Sequence, residues 1–248
     1  LFPFAILGFL SAGFFAFKIF VRYFSRLIIK GDFDFTANNN LSQMISIFAF
    51  SMIAVGLAAP GAMSQNLTVN AIAIFASIFF SAIALFLLVM KLIFGFQNIL
   101  QHGISKEASP SLWIMLPILT LLGITYIRIS FGLGHHFDQK LEYSSLFVFG
   151  SFIVSLQLIF GVIGYKVMKH IGYFETYVES ENRSPISFAL ICPGVAVMVF
   201  GMFFIHTGLI PNKVIDTNSV AYFMIMAPYI YIQYITVRYF FKLKRKFF

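Results

Sequence analysis

Residues 184–210 read SPISFALICPGVAVMVFGMFFIHTGLI, an apolar run without a single Asp, Glu, Lys or Arg. About 20 such residues cross the hydrocarbon core of a bilayer as a helix, so the stretch is long enough to span one. Yet Pro193 and Gly194 sit in its middle, directly after Cys192, the only cysteine of the chain. A breaker at the centre of a spanning helix needs a physical reason, because lipid offers an interrupted backbone no hydrogen bonds.

The pattern recurs along the chain. Of its 248 residues 60% are hydrophobic and 10% charged, and so few charges cannot clothe a soluble domain of this size. Seven stretches reach membrane length: Leu1–Phe24, Leu41–Met63, Asn70–Phe96, Ser111–Phe131, Tyr143–Met168, Ser184–Ile210 and Asn218–Phe241. The expected fold class is therefore all-α, a polytopic membrane protein with seven transmembrane helices in a single transmembrane domain over 1–248. The first stretch is too long and too aromatic for a signal peptide. An odd helix count and a start at Leu1 lead us to expect further helices ahead of it. The single cysteine excludes an internal disulfide and a Cys-rich metal centre.

The connections alternate in charge. The side reached after the first, third, fifth and seventh stretches carries 14 Lys and Arg, from Lys18 to Lys246, whereas the opposite side carries only Arg128, Lys140 and Lys213. The positive-inside rule then places the C-terminus in the cytoplasm, as expected for an inner (plasma) membrane protein. The same rule accounts for the net charge of +8. The tail KLKRKFF reads as an anchor against anionic lipid, and nucleic acid is not an expected partner.

Prolines cluster in the even-numbered stretches and in the seventh. Pro60, Pro117, Pro193 and Pro228 are each expected inside a helix, leaving the carbonyls of Gly56, Trp113, Ala189 and Met224 without their usual donors. Kinked backbone of this kind turns towards protein or a water-filled cavity. An ordinary kink made for helix contacts explains any single proline. Three even-numbered helices with the same habit favour a shared lumen. Gly194 and Gly201, seven apart, permit close approach of a neighbouring helix.

No Asp or Glu lies at the centre of any stretch. A proton relay or sodium-coupled carrier is disfavoured, and neither an acid/base pair nor a nucleophilic triad can form at membrane depth, so the chain does not read as an enzyme. Lys18 and Lys91 read as snorkelling lysines. His135, His136 and His206 fall on the outer side, where two histidines on different segments could ligate a haem. A haem-bearing electron-transfer subunit is thus the alternative function. The sequon at Asn66 carries meaning only in a glycosylating source.

Three motifs together carry a resemblance. The fourth stretch opens with SKEASPSLWIMLPILTLLGI, a Ser-Pro lead-in followed by an apolar helix with its own proline, and the sixth carries SFALICPGVAVMVFG. The hairpin ahead of them contains FFSAIALFLLVMKLIFGF and ends in a basic turn. Together these resemble the last seven of ten helices in the tellurite-resistance/dicarboxylate transporter family, which includes the plant slow anion channels. The resemblance covers nearly the whole chain. It implies a ten-helix hairpin bundle around a central pore, a homotrimer with one pore per protomer, and passage of small anions or dicarboxylates. It also implies an aromatic plug just before the proline of the sixth stretch. That position holds Cys192 here, so either Phe188, one turn earlier, substitutes, or the passage is closed differently.

The expected function is a channel or passive transporter for a small anion. Its expected pore-lining residues are Pro60, Trp113, Pro117, Thr120, Phe188, Cys192 and Pro193. Carbonyls released by proline repel anions, so the attraction must come from elsewhere. Arg128, expected to draw anions at the outer mouth, is the candidate. Neither a cofactor nor a metal is expected, and membrane lipid is the surrounding partner.

Overall fold

The structure, a computed structural model, describes residues 2–31, 41–137 and 140–247, without the side chain of His136. It is all-α, with no strand among these residues. The seven main helices are α1 (Phe2–Lys30), α2 (Ile45–Met63), α3 (Leu67–His102), α4 (Met115–His136), α5 (Tyr143–His170), α6 (Ile191–Phe204) and α7 (Val220–Phe247). With their 3-10 and π extensions, seven helical segments are long and apolar enough to cross a membrane. This follows from the need to satisfy every backbone group inside the segment.

Local chemistry sets several ends. The Asn66 side chain caps α3 by accepting the Val69 N–H at 3.0 Å. Gly103, at a φ of 73°, ends the same helix in a conformation that glycine adopts without strain. Helices α1, α3 and α7 run past the apolar stretches and carry Lys30, His102 and Lys244–Lys246 in their last turns. Hydropathy stops at the first charges, but the backbone hydrogen bonds do not.

The three even-numbered helices share a feature that the odd-numbered ones lack among the described residues. A 3-10 segment leads into each: Ser42–Met44 into α2, Ser109–Ile114 into α4 and Pro185–Leu190 into α6. The Ser111 N–H reaches the Ala108 carbonyl, and the Ser187 N–H the Ser184 carbonyl, both three residues back and at 3.0 Å. This corrects the expected mid-helix breaks. Pro117 and Pro193 are each the third residue of an α-helix, where a missing N–H forfeits no α-helical bond. Trp113 and Ala189, whose carbonyls were to be stranded, lie within the 3-10 segments instead. A proline ring cannot sit beside the carbonyl four residues earlier, and the tighter winding avoids that clash. Pro60 and Pro228 do lie inside α2 and α7.

The chain forms two compact units. Unit 1 comprises Leu1–Gly103 and Ile124–Leu141, and unit 2 comprises Ile104–Gly123 and Glu142–Phe248. In unit 1, α2 is the central helix, packed against both α1 and α3. Gly13 lies against the ring of Phe80, and Gly56 against that of Phe9. In unit 2, α6 packs on α7 through the two glycines singled out above, with Gly194 facing Thr236 and Gly201 facing the Tyr229 ring. The same helix continues into a π-turn, Ile205–Leu209.

Candidate functional site

In unit 1 the polar chemistry gathers on α2. Pro60 has no N–H for the Gly56 carbonyl, and the two carbonyls just before Gly56 accept side chains from neighbouring helices. The Ser77 hydroxyl of α3 donates to the Ala54 carbonyl at 2.8 Å. The Arg128 guanidinium of α4 donates through Nη1 to the Val55 carbonyl at 2.9 Å. Directly after Pro60, the Gly61 carbonyl accepts from Nδ2 of the fully buried Asn70 of α3, which also donates to the Gly132 carbonyl, while its Oδ1 has no partner among the described residues.

Arg128 stands apart. It is half-buried, and the hydrogen bond to Val55 is its only polar contact among the described residues. The described part of unit 1 carries Lys18, Arg22, Arg26, Lys30, Lys91, Arg128 and Lys140, but no Asp or Glu. Val55 lies about 12 Å before the end of α2 by helical rise, so the guanidinium meets the interior of a candidate membrane-spanning helix and not its end. Arg128 lies within α4, which continues to His136, and not beyond the fourth helix. A guanidinium presents five N–H donors in a planar fork. With one of them on Val55, the others have no protein acceptor among the described residues.

In unit 2 most of the buried polar groups satisfy one another, Gln233 Oε1 being an exception among the described residues. The buried Gln157 of α5 donates through Nε2 to the Thr120 hydroxyl of α4 at 2.8 Å, and that hydroxyl donates to the Ala196 carbonyl of α6 at 3.0 Å. The Trp113 indole donates to the Gly161 carbonyl at 3.0 Å, and Gly164 gives it room. The two Ser-Pro lead-ins pack together. Ser109 donates to the Lys106 carbonyl at 2.8 Å, and Ser184 to Glu107 Oε1 at 2.8 Å. The Tyr173 hydroxyl, fully buried, pairs with Ser187 Oγ at 3.0 Å. Burial pushes that phenol above its ordinary value; the Ser187 hydrogen bond pulls it back, while Tyr177 and Glu107 add to the rise.

The residues singled out from sequence therefore separate. Pro60 and Arg128 belong to unit 1, Pro60 buried and Arg128 half-buried. Trp113, Pro117, Thr120, Phe188, Cys192 and Pro193 belong to unit 2. Pro117, Thr120 and Pro193 are buried, the Phe188 ring meets Phe247 at 5.4 Å, and Cys192 is exposed. His206 Nδ1 lies 2.8 Å from the Met202 carbonyl, and its ring packs edge-on against Tyr222. His135 is exposed, and the side chain of His136 lies outside the described residues. No cluster of three potential metal ligands occurs among the described residues. Sequence reasoning passed over Asn70, Ser77 and Gln157. Their signal was an amide or hydroxyl inside an apolar run, where a buried polar group must find a partner.

Fold and site together define an all-α polytopic membrane protein with a half-buried guanidinium, without a carboxylate partner among the described residues, on one of its candidate membrane-spanning helices. No protein-family model, curated protein or solved structure matches the chain.

Proposed function

We propose that this protein is a channel or passive transporter for a small anion, with Arg128 as the group that draws the anion into the membrane span. The observation that carries this reading is the half-buried guanidinium, tied to one neutral carbonyl in a unit whose described residues hold no carboxylate. Ionisable residues inside membrane segments are costly and as a rule pair with one another or serve transport. A solute anion supplies the missing counter-charge. The Val55 carbonyl orients the fork without neutralising it, so binding stays weak enough for release, which conduction requires.

The Ser-Pro lead-ins and the resemblance they carry support membership of the tellurite-resistance/dicarboxylate transporter family. In that reading the protein works as a homotrimer in the inner membrane, with its C-terminus in the cytoplasm. The 14-to-3 distribution of basic residues supports that orientation.

Purified protein reconstituted into liposomes should conduct chloride or nitrate down a gradient, and Arg128→Met should abolish most of that flux. Absence of anion flux from folded wild-type protein, or full flux from the Met variant, removes this function.

A further inference from the structure

Of the seven cations in the described part of unit 1, Lys18, Arg22, Arg26, Lys30 and Lys140 are exposed, and two are half-buried: Arg128 and Lys91. These two share a further property. Each is tied to α2 or its lead-in by a single hydrogen bond to a neutral oxygen. Arg128 holds the Val55 carbonyl, and Lys91 Nζ holds Gln43 Oε1 at 3.3 Å, in the 3-10 turn that opens α2. That bond is the only polar contact of Lys91 among the described residues. A lysine serving as a membrane anchor extends its ammonium towards the head groups. This one is turned onto the start of α2 and is half covered.

We propose that Lys91, oriented by Gln43, is a second binding station for the same small anion, in series with Arg128 along α2. The inference rests on the anion-transport reading above. By helical rise the two stations stand about 18 Å apart, from Gln43 to Val55. Both helices that carry the cations flank α2, and α2 supplies or abuts the oxygen that positions each. An ammonium on a flexible stem makes a point-charge contact without demanding planar geometry, whereas the guanidinium is a rigid fork. Lys91 thus suits the loosely held, partly hydrated anion at one end of the path, and Arg128 the more dehydrated one. Two weak stations in place of one strong one allow occupancy and release together, because an anion arriving at one repels the anion at the next.

The test measures chloride flux in liposomes as a function of chloride concentration, for wild type, Lys91→Met, Lys91→Gln and Lys91→Arg. Lys91→Met and Lys91→Gln should each raise the half-saturating chloride concentration about tenfold, the scale of one charge-assisted hydrogen bond, with the maximal rate retained. Lys91→Arg should restore most of the wild-type value. Chloride should also raise the thermal midpoint of wild-type protein in detergent more than that of Lys91→Gln. Unchanged concentration dependence in Lys91→Met, with wild-type flux present and sensitive to Arg128→Met, overturns the second station and leaves the function standing. An effect that follows the phosphatidylglycerol content of the vesicles and not chloride reassigns Lys91 to lipid anchoring and also overturns it. Absence of wild-type flux removes function and station together.

Discussion

Arg128 Nη1 donates to the carbonyl oxygen of Val55 at 2.9 Å, so that a permanent cation on α4 rests against the helix that carries Pro60. The Val55 carbonyl can serve its own helix and this contact at once, since a carbonyl oxygen has two lone pairs. Replacing Arg128 by Met therefore strands no acceptor on α2 and removes a charge with no carboxylate partner among the described residues. We expect the Met variant to unfold within about 1 kcal/mol of wild type, or to be more stable, in chloride-free buffer. Anion flux should nonetheless drop about tenfold or more. Thermal unfolding in detergent beside liposome flux checks both halves. A loss of stability that parallels the loss of flux makes Arg128 a structural residue.

The Gln157–Thr120–Ala196 chain joins α5, α4 and α6 within unit 2. Thr120→Val leaves Gln157 Nε2 with only the long 3.5 Å contact to the Leu116 carbonyl. The expected loss is about 0.5–2 kcal/mol, in the range found for hydrogen bonds between membrane helices. Gln157→Leu combined with Thr120→Val should cost less than the sum of the two single changes, because the pair removes donor and acceptor together. A double-mutant cycle on unfolding free energies measures this, and strict additivity denies the coupling.

At the contact between α6 and α7, a Cβ on Gly194 would overlap the Thr236 hydroxyl, which itself donates to the Ile232 carbonyl at 2.8 Å. Gly194→Ala should destabilise by about 1–3 kcal/mol, the usual range for overfilling a packed contact. Adding Thr236→Ala should recover most of the loss. Thermal midpoints of the three proteins decide the matter. If the second change brings no recovery, the two side chains do not compete for the same space.

The Tyr173 phenol, outside the spanning segments, titrates above its ordinary value of 10.0 because it is buried. The fold therefore favours the protonated form. Its contribution to stability is complete below the unfolded value and is lost as pH rises through the higher folded value. Wild-type protein should lose stability above about pH 10 more steeply than Tyr173→Phe, and tyrosinate absorbance should show one phenol that ionises late or only on unfolding. Identical alkaline profiles for the two proteins contradict the assignment.

The membrane class was legible in composition alone. Seven apolar runs announce seven helices, since in lipid an apolar segment has no alternative to satisfying its own backbone. Gly194 and Gly201 announced a close helix neighbour, and α7 is that neighbour. The ends were less legible. The expected first helix stops at Phe24, whereas α1 continues to Lys30, because hydrogen bonds persist after hydrophobicity ceases. Pro117 and Pro193 looked like central interruptions. Hydropathy cannot register that six residues ahead of α4 and of α6 wind as 3-10 helix, so that each proline falls in a first α-turn. Arg128 shows the boundary most sharply. Its place in an apolar run is a matter of composition. That Val55 receives it, and that no carboxylate does among the described residues, depends on which helices lie side by side, and a linear pattern carries no such pairing.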